Sequence, residues 1–178
     1  RQQLLEDRGV KLYSNTFNYD ITADLPAITA RIKAPLEDSA CQTVIDAGGD
    51  DSGARILIQF DKYLSGTDCD LFCVVNANRP ETRTIEGALF HIKRIEAETN
   101  LKITGLVNNT HLLRETKAED ILKGYELCRE LSERLSVPVR YHCCVEGLWD
   151  DLRAKTKGLQ DFKVFLMRLY MRDSWLDR

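Results

Sequence analysis

The sequence predicts an α/β domain built on a doubly wound, mostly parallel sheet with helices on both faces. Three observations predict it. Short apolar, β-branched runs alternate with longer amphipathic segments, the pattern of strands joined by crossover helices. The polar residues Asn, Asp, Gly and Arg cluster where those runs end, which places them on the carboxyl rim where open α/β sheets bind ligands. The 178 residues, 43% apolar and 30% charged with 10 Gly and 4 Pro, suit a single domain over 1–178 with a continuous core.

In chain order, Val10-Lys11-Leu12-Tyr13-Ser14 reads as a first strand, followed by a polar turn over 15–24. Pro26 is placed as a helix-starting proline, and 27–38 carries Ile28, Ile32 and Leu36 on one face. Residues 41–47 read as a strand entering the turn Gly48-Gly49-Asp50-Asp51-Ser52-Gly53, with a helix over 54–64. Residues 70–76 are a near-continuous apolar run, which implies a fully buried strand, and 81–100 a long helix with Ile85, Leu89, Ile92 and Ile95 inward. A strand over 101–107, a helix over 118–136 and a strand over 137–143 follow, Pro138 being tolerated at a strand start. Residues 148–178 have a helical pattern through Phe162, Phe165, Leu166, Leu169 and Tyr170. The strand ends fall at 14–18, 46–53, 76–82, 108–111 and 143–147.

Composition removes several function classes. Lys plus Arg total 25 against 28 Asp plus Glu, so a net charge of −3 leaves no global basic footprint for nucleic acid. No run approaches the roughly 18–20 apolar residues of a membrane span, and the first residues lack a signal-peptide core, so a cytoplasmic protein is expected. The six cysteines form no CxxC pair and read as reduced core thiols; adjacent Cys143 and Cys144 face opposite sides of a strand. His91, His111 and His142 are scattered, with no zinc-site spacing.

The segment Val44-Ile45-Asp46-Ala47-Gly48-Gly49-Asp50 delivers an Asp from an apolar run into a glycine turn. Phosphate-handling enzymes hold hydrated Mg²⁺ in this way: Asp46 supplies a hard oxygen ligand, and Gly48 and Gly49 let backbone N–H groups approach a phosphate. Asp50 is placed to orient an attacking water. The competing reading is a plain strand-to-helix turn in which Asp50, Asp51 or Ser52 caps the next helix.

This segment resembles the Walker B and second switch region of the deviant Walker A ATPases, the superfamily of MinD, ParA, dethiobiotin synthetase, cobyrinic acid a,c-diamide synthase and the nitrogenase iron protein. Thr104-Gly105-Leu106-Val107-Asn108-Asn109-Thr110 is similar to the strand end at which that superfamily recognises adenine. Together with Val75-Asn76-Ala77-Asn78-Arg79-Pro80-Glu81-Thr82 and Asn108-Asn109-Thr110-His111-Leu112, the order of motifs resembles a bacterial MinD-like ATP-binding group over nearly the whole chain. The resemblance implies a P-loop ATPase fold and ATP with Mg²⁺. It makes Asp46 the metal ligand and, with Asp50, the catalytic pair; Gly48, Gly49, Asn108, Asn109 and Arg79 become nucleotide contacts, Asn109 matching the adenine reader better than Asn108. It also implies a homodimer. Gly53 stands where the iron protein has a cluster ligand, which disfavours an iron–sulfur reductase.

The sequence contains no G-x-x-x-x-G-K-[ST] phosphate cradle. The expectation is therefore the C-terminal part of a longer ATPase, inactive on its own, whose missing strand would leave two apolar edges. Arg79 is a candidate phosphate contact against a plain capped loop, and His111 a rim residue near the nucleotide. His142, Glu146 and Trp149 flank the last strand end. The tail over 162–178, with Lys163, Arg168 and Arg172, reads as a packed terminal helix rather than a membrane helix. Two other functions fit the same pattern: a non-catalytic module binding a protein partner through the open rim, and an ATP-dependent amide-forming synthetase.

Overall fold

Four short strands pair in parallel in the computed structural model, which describes residues 2–13, 30–65, 69–159 and 161–169. They are β1 (Phe72–Val75), β2 (Gly105–Asn108), β3 (Val139–Val145) and β4 (Val164–Met167), in the spatial order β1-β2-β3-β4. Helices α5 (Ile85–Thr99), α6 (Ala118–Leu135) and α7 (Trp149–Lys155) make the three crossovers. Before them come the short helices α1 (Gln2–Glu6), α2 (Ala30–Glu37), α3 (Asp51–Ala54) and α4 (Asp61–Leu64), the last two joined by a 3₁₀ turn, Arg55–Phe60.

Helix ends follow local chemistry. Thr84 caps α5 by accepting the Gly87 N–H at 3.2 Å, and α5 and α6 both stop at left-handed residues, Asn100 and Ser136. Asp120 closes the first turn of α6 by accepting the Lys117 N–H at 2.9 Å.

Register fixes which face each side chain takes. Val75, Asn108, His142 and Val164 lie in one row across the sheet, so all four point the same way. That face meets the crossover helices. Val75 and Leu106 pack with Ala88 and Ile92 of α5 and Leu127, Cys128 and Leu131 of α6; Cys144 packs with Ala118 and Ile121 of α6 and Leu152 of α7. The row Val74, Val107 and Tyr141 faces the other way. There Phe165 stacks edge-on against Tyr141, and α1 contributes Leu4 and Leu5 to a cavity shared with Cys143, Val145 and Met167.

The expected α/β class holds, with an all-parallel sheet; its described strands run in sequential order without a reversal, so their crossover helices share one face. Several other expectations are corrected. Residues 10–13 are exposed coil rather than strand, Ser14 and Pro26 lying outside the described residues. Residues 41–47 form no strand: they have no ladder partner among the described residues, and Val44 is 94% exposed. The run at 70–76 gives β1, an edge strand of the described sheet with Val74 61% exposed, not a fully buried one. Within 162–169, Val164–Met167 form strand β4 and no helix forms, since pairing with β3 outweighs the helical spacing; Tyr170 and the rest of the tail lie outside the described residues.

The turn after residue 47 is anchored sideways onto α5. Arg94 pairs with Asp51, Arg55 Nε lies 2.6 Å from Glu98, and Ala54, Leu57 and Phe60 are buried. No helix among the described residues is long and apolar enough to cross a membrane.

Candidate functional site

All four strands run the same way, so the loops after them share the carboxyl end of the sheet. Most of the polar residues there brace the loops. Asn76 Oδ1 accepts the Asn78 N–H at 2.9 Å and the His111 N–H at 3.4 Å, while Thr110 Oγ1 accepts the Ala77 N–H at 3.0 Å. Asn78 donates to Asp120 at 2.9 Å and accepts from Lys123 at 2.9 Å, which ties the β1 loop to the start of α6.

Asn108 is the centre of this bracing. Its side chain is fully buried; Nδ2 donates to the Ile121 carbonyl at 2.9 Å and reaches His142 Nδ1 at 3.2 Å, and Oδ1 accepts the Thr110 N–H at 3.1 Å. A side chain with both ends committed inside the core cannot reach a ligand, so Asn108 leaves the nucleotide-contact set. His142 stacks on Phe162 at 4.2 Å and is 2% exposed; burial lowers its pKa to about 4, so it is neutral at physiological pH. It belongs to the core rather than to the rim.

Asn109, one residue on, faces the opposite side. Its N–H donates to the Val75 carbonyl at 2.8 Å, and its side-chain amide makes no hydrogen bond among the described residues. It lines a cavity of about 400 Å³ whose walls are apolar: Leu4 and Leu5 from α1, Val145 from β3 and Met167 from β4. His111 lines the same cavity. An apolar cleft with a few convergent polar groups at the strand ends is the usual form of a small-molecule site. Cys143 also lines it, but burial pushes that thiol up to about 11, which makes it a wall and not a nucleophile. Cys73 and Cys128 are likewise raised, to about 11 and about 12, and act as core residues. Cys41, by contrast, is exposed.

Asp46, in the unpaired 41–47 run, is exposed and its carboxylate has no partner among the described residues. Asp50 caps α3: Oδ1 accepts the Gly53 N–H at 2.6 Å. The capping reading thus accounts for one of its oxygens. Gly48 and Gly53 approach so closely that a Cβ on Gly48 would lie 2.6 Å from the Gly53 Cα, which is why this turn takes glycine at both places. Gly49 is exposed with open space at its Cβ position. Arg79 is exposed and forms no ion pair among the described residues. Its N–H and carbonyl shape the loop by bonding to the Asn76 carbonyl and the Thr82 N–H. Glu146 pairs with Arg168 at 2.8 Å, and Trp149 begins α7. The strand end at 14–18 lies outside the described residues.

No three His, Cys, Asp or Glu side chains converge on a metal position among the described residues. One carboxylate is nonetheless compatible with Mg²⁺, which keeps several waters and takes other ligands from phosphate oxygens. Sequence reasoning missed the contribution of α1 and β4 to the cavity, because Leu4, Leu5 and Met167 are ordinary apolar residues until the fold brings them together. No protein-family model, no curated protein and no solved structure matches the chain.

Proposed function

We propose that the protein is a nucleotide-binding α/β protein of the MinD/ParA-like type, which in intact form binds and hydrolyses ATP with Mg²⁺. The observation that carries the reading is the uncommitted Asn109 amide on an apolar cavity at the strand ends. An amide offers one donor and one acceptor side by side, which matches the N6 amino group and N7 of adenine, and the apolar walls suit the faces of a flat ring.

Within this reading Asp46 would hold Mg²⁺, which would offset the charge of the phosphates. Gly48 and Gly49 offer backbone N–H groups to the phosphates, and Arg79 supplies a mobile cation. Asp50 keeps one carboxylate oxygen for a water while the other holds the helix cap. A homodimer and a cytoplasmic setting belong to the same proposal. The opposing reading, a non-catalytic module that binds a protein through the sheet, is favoured by the exposure of Val44 and Val74.

Calorimetric titration of Mg·ATP into the protein at its full natural length separates the two. Asn109→Ala should weaken ATP binding about tenfold, the cost of one good bidentate base contact. Asp46→Ala should abolish turnover with no change in thermal stability, because the carboxylate supports nothing in the fold. Unchanged ATP affinity in Asn109→Ala would remove the base assignment, and no ATP binding at all would leave the interaction-module reading.

A further inference from the structure

The cavity presents a second polar group whose proton the surrounding hydrogen bonds locate. His111 Nδ1 accepts the Leu113 N–H at 3.2 Å, so the neutral ring carries its proton on Nε2. The other polar side chains of the cavity are occupied. Thr116 Oγ1 donates to the Leu113 carbonyl at 2.6 Å and accepts the Leu112 N–H at 2.8 Å; Thr110 accepts from Ala77, and Arg168 pairs with Glu146. That leaves the Asn109 amide and the His111 Nε2–H, two residues apart on one rim, as groups available to a ligand. Together they offer two donors and one acceptor against an apolar wall.

We propose that His111 is a specificity-determining residue that reads position N1 of a purine and selects adenine over guanine. The inference rests on the nucleotide reading above. With N6 and N7 taken by Asn109, the polar atom left on the adenine pairing edge is N1, an acceptor that matches the Nε2–H. In guanine N1 carries hydrogen and O6 replaces the amino group. His111 then meets a donor with a donor, and Asn109 loses the donor it should accept from. A site whose buried polar groups are left unpaired rejects an analogue far more strongly than lost apolar contact does.

The test is binding of Mg²⁺ complexes of ATP, GTP and 1-deaza-ATP, the last having CH in place of N1, to the full-length protein and to His111→Phe. Phenylalanine keeps a flat ring of similar bulk and removes both nitrogens. The unmodified protein should prefer ATP to GTP by at least tenfold and bind 1-deaza-ATP about fivefold more weakly than ATP, the usual worth of one neutral hydrogen bond. His111→Phe should bind ATP about fivefold more weakly, treat ATP and 1-deaza-ATP alike, and lose part of the selectivity against GTP. The 1-deaza comparison on the unmodified protein needs no variant, so a misfolded His111→Phe does not block the test. Equal binding of ATP and 1-deaza-ATP to the unmodified protein overturns the role of His111. If Asn109→Ala still weakens ATP in that case, the nucleotide reading stands without it. Absence of binding by all three nucleotides overturns both.

Discussion

Asn108 and Val44 each lie in or beside an apolar run that reads as a strand, and the fold treats the two runs in opposite ways. At β2 the run is flanked by β1 and β3, roofed by α6, and its terminal asparagine has every polar atom engaged. At residues 41–47 a run of comparable β-propensity has no ladder partner among the described residues and holds Val44 almost fully in solvent. Propensity alone therefore does not make a strand; a neighbour to complete its hydrogen bonds does. The same contrast separates the braced polar residues from the untied ones. Around β2 and α6, Asn76, Asn78, Thr110 and Asp120 hold loops to one another, whereas Asp46 and Arg79 are tied to nothing through their side chains among the described residues.

The largest expected effect comes from wedging the braced region apart. Gly124 lies on the buried side of α6, where an added Cβ would stand 2.1 Å from both Asn108 Oδ1 and Thr110 Oγ1. In an exposed helix interior Gly→Ala gains about 1 kcal/mol. Here the substitution should cost about 3 kcal/mol, because it must displace two hydrogen-bonded side chains from a packed core. Urea unfolding of Gly124→Ala measures this directly. A cost below about 1 kcal/mol would mean that the Asn108 network is soft, and the contrast with residues 41–47 would lose its force.

A slightly smaller effect is set by pH. His142 has a folded pKa of about 4 against an ordinary value of 6.5, so between those values the unfolded chain binds a proton that the folded chain refuses. Stability therefore falls as pH falls below 6.5, and the loss is complete below about 4. Between pH 7 and pH 4.5 this one group should cost about 2.5 kcal/mol. His142→Phe, which keeps a ring against Phe162 and cannot titrate, should lose that much less over the same interval. Equal acid sensitivity in the two proteins would show that water reaches His142.

Parts of this contrast were legible in the sequence. The cores of α5 and α6 and the strands β2 and β3 follow from period and from β-branched runs, since each has a partner on both sides to reward the pattern. The 162–169 segment was not legible. Phe162, Phe165, Leu166 and Leu169 satisfy helical spacing, and β3 decides for a strand by pairing Cys143 with Phe165 and Cys144 with Leu166. At the candidate site, the rim position of Arg79 and Asn109 could be read from strand order alone, whereas the strand expected to carry Asp46 to the rim does not form. Which of two adjacent asparagines faces the cavity does not follow from period, because a one-residue change of register exchanges their faces; only the resemblance favoured Asn109. Whether Asp50 caps a helix or faces a water depended on backbone geometry that the turn sequence leaves open.

The smallest expected effect probes the other half of the comparison. Val44→Lys places a charge in the middle of the most β-prone part of the 41–47 run, a change that would be severe in any paired, covered strand. With Val44 94% exposed and no ladder to disturb, it should alter stability by less than about 0.5 kcal/mol. Thermal or urea unfolding of Val44→Lys beside the unmodified protein checks this. Near-zero change would mean that the run is a solvent-exposed connection between α2 and α3. A loss above about 1 kcal/mol would contradict the exposure of Val44, and with it the view that this run differs from β2 only in lacking a neighbour.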